Sequence, residues 1–209
     1  NRKGPALTQS KFSPQFNVVR DELCELGLLA DGEYLDVIDL IESPIPSFGE
    51  AGYVYDEGVS FFAKVFGYDD GVIYMPFNPP CELYVPGGTI VDTIRHEFVH
   101  AWYWLDPEFI NQPWFKRTFE RSYLDQWKFG YKTYKLLDSY PEEWKKSCYY
   151  NDYVSPYAIS APHEDFAETF MTCLRYKNSL DRFKSRPGVF KKVVAVRKAI
   201  DKRAQQLGL

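Results

Sequence analysis

The chain has 209 residues, 45% hydrophobic and 26% charged, with 16 Phe, 16 Tyr and 5 Trp, a composition that excludes an intrinsically disordered or low-complexity protein. A net charge of −4 and a pI near 5.5 exclude a general binder of nucleic acid or anionic membrane, which needs a concentrated excess of Lys and Arg. No run approaches the roughly 18 apolar residues of a membrane span, and the length fits one domain.

Residues 1–13 mix Gly, Pro, Ser and charge without periodicity and read as a flexible N-terminal segment before a single domain over 14–209. Phe16, Val19, Leu23 and Leu26 have the spacing of an amphipathic helix ended by Gly27, and Tyr34, Val37, Ile38 and Ile41 suggest a second before Pro44. Between Gly52 and Phe77 the pattern changes to short β-prone runs at Tyr53 to Tyr55, Val59 to Val65 and Val72 to Phe77, separated by Asp- and Gly-rich turns. Pro76 cannot donate to a central ladder, so the run from Val72 to Phe77 reads as an edge strand available to an extended peptide. Tyr74, Trp102 and Tyr103 are the candidate substrate-binding aromatics, with a core position as the alternative for each.

Thr89 followed by Asp92 marks the start of a helix that runs without breakers to Leu105. Further helices are expected from Glu108 to Lys146, where Phe115, Phe119, Tyr123 and Trp127 share a face. A loop follows over Asn151 to Pro162, then a helix from about His163 to Tyr176 and a last one from about Phe190 to Gln206. The basic stripe Lys184, Arg186, Lys191, Lys192, Arg197 and Lys198 reads as the solvated face of that last helix. The expected class is therefore α+β: a small mixed sheet with an edge strand over the Thr89–Leu105 helix, then a mainly helical second half. Cys24, Cys81, Cys148 and Cys173 form no C-x-x-C pair and are consistent with core thiols or with two disulfides. The start at Asn1, with no apolar leader, reads as a processed or trimmed chain and favours a secreted protein, a cytoplasmic one staying open.

Of only three histidines, two fall in His96-Glu97-Phe98-Val99-His100 on the best-marked helix. Residues four apart share a helix face, so both imidazoles can reach one Zn²⁺, and Glu97 takes the motif's general-base position. The bland alternative is two histidines that share a face without a metal. A catalytic zinc needs a third protein ligand and an open position. The metzincin pattern would put a histidine where Asp106 stands, which excludes that class. The helix from Pro162 carries Glu164 and Glu168 one turn apart. Spacing alone leaves two readings equal: Glu164 as ligand with Glu168 holding a ligand histidine through its other ring nitrogen, or an acidic first turn complementing the helix dipole.

The segment Tyr157-Ala-Ile-Ser-Ala-Pro-His-Glu164-Asp-Phe-Ala-Glu168-Thr-Phe170 resembles the signature of the zincins related to the anthrax lethal factor catalytic domain and the secreted clostridial Pro-Pro endopeptidases. In that group a Tyr precedes the metal-binding Glu by seven positions. The resemblance implies a zincin-like domain with His96, His100 and Glu164 as ligands of one Zn²⁺ and Glu97 as base. It further implies Tyr157 as the phenol facing the substrate carbonyl and Glu168 as the carboxylate behind a ligand. Asp165 stands where the group carries Phe, and the interval between His100 and Glu164 is long. The function expected is a zinc endopeptidase of gluzincin type, hydrolysing peptide or protein substrates with a zinc-activated water and Glu97 as general base. The alternatives are a non-catalytic zinc-stabilised protein-binding module and a zinc amidase acting on a non-peptide amide. Glu97 argues against the first, because metal binding alone does not require that carboxylate.

Overall fold

The computed structural model describes residues 12–28, 39–43, 52–54, 72–76, 88–105, 111–128 and 130–206, with side chains at 12–28, 88–100, 111–125, 132–202 and 204–205. In chain order they form α1 (Ser13–Glu25), β1 (Asp39–Ser43), β2 (Gly52–Val54), β3 (Val72–Pro76), α2 (Ile90–Leu105), α3 (Pro113–Thr118), α4 (Glu120–Lys128), α5 (Gly130–Ser139), α6 (Pro141–Lys146), α7 (Pro162–Arg175) and α8 (Pro187–Gln206). Single 3₁₀ turns occur at Tyr157–Ile159 and Leu180–Phe183. Among the described residues no helix is long and apolar enough to cross a membrane. The elements divide into two compact units, α1, the strands and α2 in the first, α3 to α7 and α8 as far as Lys202 in the second.

In the first unit, α1 buries Phe16, Val19 and Leu23 and ends as its sequence dictates. Gly27 adopts φ 66°, a left-handed conformation natural to glycine. The Gly27 amide then donates to the Cys24 carbonyl and the Leu28 amide to the Leu23 carbonyl, both at 2.9 Å, closing the paired C-terminal bonds of a Schellman motif. Phe16 stacks on Phe98 of α2 at 5.3 Å, and Arg95 of α2 grips both carboxylate oxygens of Glu22 at 2.8 and 3.1 Å. A half-buried bidentate pair of this kind is the ion-pair geometry that contributes measurably.

The α+β expectation is corrected. Helix dominates the described chain, no strand occurs among the residues described with side chains, and strand is confined to three short segments in the order β1-β3-β2. The edge-strand expectation is corrected as well: β3 lies between β1, which it meets in parallel, and β2, which it meets antiparallel. Pro76 is tolerated because it is the last residue of β3. The partner β2 pairs only with Val72 to Tyr74 and stops short of it, so no ladder bond on that side needs the missing N–H. The expected helix around Tyr34 to Ile41 is a strand where it is described, Asp39–Ser43; Tyr34, Val37 and Ile38 lie outside the described residues. So do most of the N-terminal segment 1–13, the run Val59 to Val65, and Cys81.

The second unit is helical and packed on aromatic rings. Phe115 and Phe119 meet Phe166 edge-to-face at 5.1 and 5.7 Å, and all three are fully buried. Each such side chain contributes about 1.5–3 kcal/mol on burial. Phe119 sits at the break between α3 and α4, so the single face expected for Phe115 through Trp127 is carried by two short helices. Trp127 is outside the residues described with side chains. The start of α8 docks closely on the preceding loop: the Val189 amide donates to the Asn151 carbonyl at 3.0 Å. A Cβ on Gly188 would lie 2.8 Å from that same oxygen, which is why glycine stands there.

The basic stripe is corrected at two positions. Lys192 is buried against Asp165, and Arg186 is half-buried with its guanidinium donating to the carbonyls of Tyr150 and Tyr153.

Candidate metal centre

The helix that carries both motif histidines is fixed at its start by a reciprocal cap. The Thr89 amide donates to Asp92 Oδ2 at 3.0 Å, and the Asp92 amide donates to Thr89 Oγ1 at 3.2 Å. These bonds satisfy amides at the helix start that have no intrahelical partner, and an acidic side chain there also suits the dipole. Arg95 Nη1 holds the other oxygen of Asp92 at 2.7 Å, so the first two turns are set before the motif begins. Ile94, Phe98 and Val99 are buried.

His96 and His100 then project from one face, as their spacing requires. Their Nε2 atoms are 3.0 Å apart and their rings meet edge-on with centroids 4.7 Å apart. Both are buried, at 1% and 8% exposure, and Glu97 between them is 2% exposed. Two bonds of 2.0–2.1 Å at a tetrahedral angle would separate two ligand nitrogens by about 3.3 Å. The observed pair lies within a few tenths of an ångström of that bite, and borderline-soft imidazole is a preferred zinc donor. The histidine pair therefore fits zinc.

In the second unit α7 opens with Pro162, whose missing N–H costs nothing in a first turn, after an extended Ala161 that provides no side-chain cap. Glu164 is in that turn with its side chain 13% exposed, and its Oε1 is 3.4 Å from Nε2 of His163. One turn on, Glu168 is fully buried and its Oε2 accepts a 2.6 Å hydrogen bond from Ser155 Oγ. Ser155 Oγ in turn accepts the Ala158 amide at 3.2 Å. That pair of bonds ties α7 to the 3₁₀ turn bearing Tyr157, whose ring packs edge-on against Tyr134 at 5.3 Å.

The structure thus joins His96 with His100, and Glu168 with the turn of Tyr157. Tyr74, Trp102 and Tyr103 lie outside the residues described with side chains. With β3 central, the pairing of an extended peptide along it is withdrawn. Two features escaped the sequence. Ser155 has no local signal, since its partner is thirteen residues away. Lys192 had one: it falls on the same helical stripe as the buried Val189, Val196 and Ile200. Its partner Asp165 is fully buried and also bonded by the hydroxyls of Ser122 and Thr169; burial pushes this carboxyl above the usual range while Lys192 pulls it back. Cys24, Cys148 and Cys173 are thiols, so no disulfide forms among the described residues.

No curated protein and no solved structure matches the chain. A family model described as "Putative zinc-binding metallo-peptidase" matches residues 81–205. That span exceeds half of the chain and holds the histidine helix and both glutamates of α7, so the chain belongs to this family of zinc-binding metallo-peptidases.

Proposed function

We propose that the chain is a zinc-dependent endopeptidase in which His96, His100 and Glu164 hold the metal, Glu97 moves the proton and Tyr157 faces the substrate carbonyl. The observation that carries this reading is the buried His96–His100 pair, two imidazole nitrogens 3.0 Å apart in a chain of the metallo-peptidase family. Glu164 is supported as third ligand by its position in the first turn of α7, inside the span that the family model matches. It is supported too by the donor chemistry, because two histidines and one carboxylate make a known catalytic zinc set that leaves a position open. Bound there, zinc supplies Lewis acidity, polarising a carbonyl and lowering the pKa of water.

The remaining steps belong to the protein. Glu97, next to a ligand in sequence and almost fully excluded from solvent, accepts a proton from the attacking water and returns it to the leaving amine. Its retention is what distinguishes a hydrolase from a metal-stabilised binding module. The Tyr157 hydroxyl donates to the oxygen on which negative charge develops. Glu168 holds the Tyr157 turn through Ser155. Peptide or protein is the substrate class that the family implies.

The test pairs zinc content with cleavage of an unstructured peptide library read by mass spectrometry. The purified protein should cleave, a chelator should stop it and zinc should restore it. A Glu97→Gln variant should keep one zinc per chain and cleave about 10²–10⁴-fold more slowly. Undiminished cleavage by that variant would remove the peptidase reading.

A further inference from the structure

Glu164 is followed by Asp165, an acid that is fully buried. Its carboxylate receives Lys192 Nζ at 2.5 Å, the Ser122 hydroxyl, and the Thr169 hydroxyl at 3.4 Å. Two other helices therefore converge on this side chain of α7: α4 through Ser122 and α8 through Lys192. The ammonium of Lys192 also lies 4.2 Å from the ring centre of Tyr153. A buried ion pair is a weak source of stability, because desolvation offsets the attraction and apolar replacements of equal volume are often neutral or better. Stability therefore does not by itself account for a buried ion pair here.

Placement does. The first turn of α7 has no side-chain cap, so its orientation is set by the side chains that it buries. Asp165, next to Glu164, is the one of them held by hydrogen bonds from two other helices. Successive residues on a helix point about 100° apart, so fixing the direction of Asp165 fixes that of Glu164. We propose that Lys192, acting through Asp165, is a positioning residue that aims the Glu164 carboxylate for zinc binding. This rests on Glu164 being a ligand, as proposed above.

The experiment measures zinc affinity by competition with a chromophoric chelator, alongside the thermal midpoint, in four proteins: the unaltered chain, Glu164→Ala, Lys192→Arg, and the charge-free double variant Asp165→Asn with Lys192→Met. The double variant leaves no buried charge uncompensated and is the one expected to fold. Its zinc affinity should fall about 10–100-fold, the range for residues that orient ligands, and Lys192→Arg should restore much of it. A structural role alone would move the midpoint and not the affinity. A folded double variant binding zinc within twofold of the unaltered chain overturns the proposal while leaving Glu164 as ligand intact. Unchanged affinity in Glu164→Ala overturns the ligand assignment itself, and the positioning role falls with it.

Discussion

Ser155 Oγ donates a 2.6 Å hydrogen bond to Oε2 of the buried Glu168 and accepts the Ala158 amide at 3.2 Å, so one hydroxyl bridges α7 and the turn that carries Tyr157. Ser155→Ala removes both bonds. A hydrogen bond to a charged group contributes about 1.5–3 kcal/mol, so urea unfolding should show a loss of that order. Zinc content should be preserved while kcat falls more than KM rises, since the turn is loosened and the metal ligands are untouched. Full activity in a variant with the expected stability loss would disconnect the turn from catalysis.

Tyr157 itself offers a sharper variant. Tyr157→Phe keeps the ring and its edge-on contact with Tyr134 and deletes only the hydroxyl. Loss of one donor to a developing oxyanion costs about 2.7–4 kcal/mol, so kcat should drop about 10²–10³-fold with zinc content unchanged. A drop below threefold would assign the oxyanion contact to another group.

Metal binding should also register in stability. Zinc at a hundred times its dissociation constant stabilises a protein that binds it only when folded by about 2.7 kcal/mol, a rise of about 5–10 °C in midpoint for a chain of this size. His100→Ala should abolish most of that rise, because it removes one half of the 3.0 Å imidazole pair. An equal rise in the variant would place the zinc elsewhere.

What could be read from the sequence follows how local the determining forces are. The helix Ile90–Leu105 was legible because its cap, Thr89 with Asp92, and its histidine spacing all act within one or two turns. The end of α1 at Gly27 was legible for the same reason. The sheet was not. Residues Asp39 to Ser43 carry a periodicity that serves helix or strand, and pairing with Val72 to Pro76, far along the chain, decides for strand. Pro76 suggested an edge, yet its effect depends on where β2 stops, which no local pattern encodes. Lys192 shows the same limit: its charge suggested solvent, and its burial depends on an aspartate 27 residues earlier. In the candidate site, the histidine spacing is a local signal, whereas the burial of Ser155 and Lys192 is set by partners 13 and 27 residues away.

The buried thiol of Cys173 makes a prediction about pH. It is 1% exposed, its Sγ donates to the Val193 carbonyl at 3.7 Å, and burial pushes its pKa up from 9.0 to about 12. Between those values the native state keeps the proton that the unfolded chain has lost. The native state then binds more protons, so this group's contribution to stability is complete below about pH 9 and is lost as pH rises toward 12. The loss is about 1.4 kcal/mol per pH unit in that window. Other groups titrate there too, so the measurement is the difference between the unaltered chain and Cys173→Ser, which retains a donor for Val193 and does not ionise. The unaltered chain should lose stability more steeply, by about that amount, in urea titrations at pH 9.5 and 10.5. Cys148, exposed, should react with a thiol reagent in the native state, and Cys173 only on unfolding. Parallel slopes for the two proteins, or prompt native-state labelling of Cys173, would show that α7 and α8 do not enclose this thiol as described.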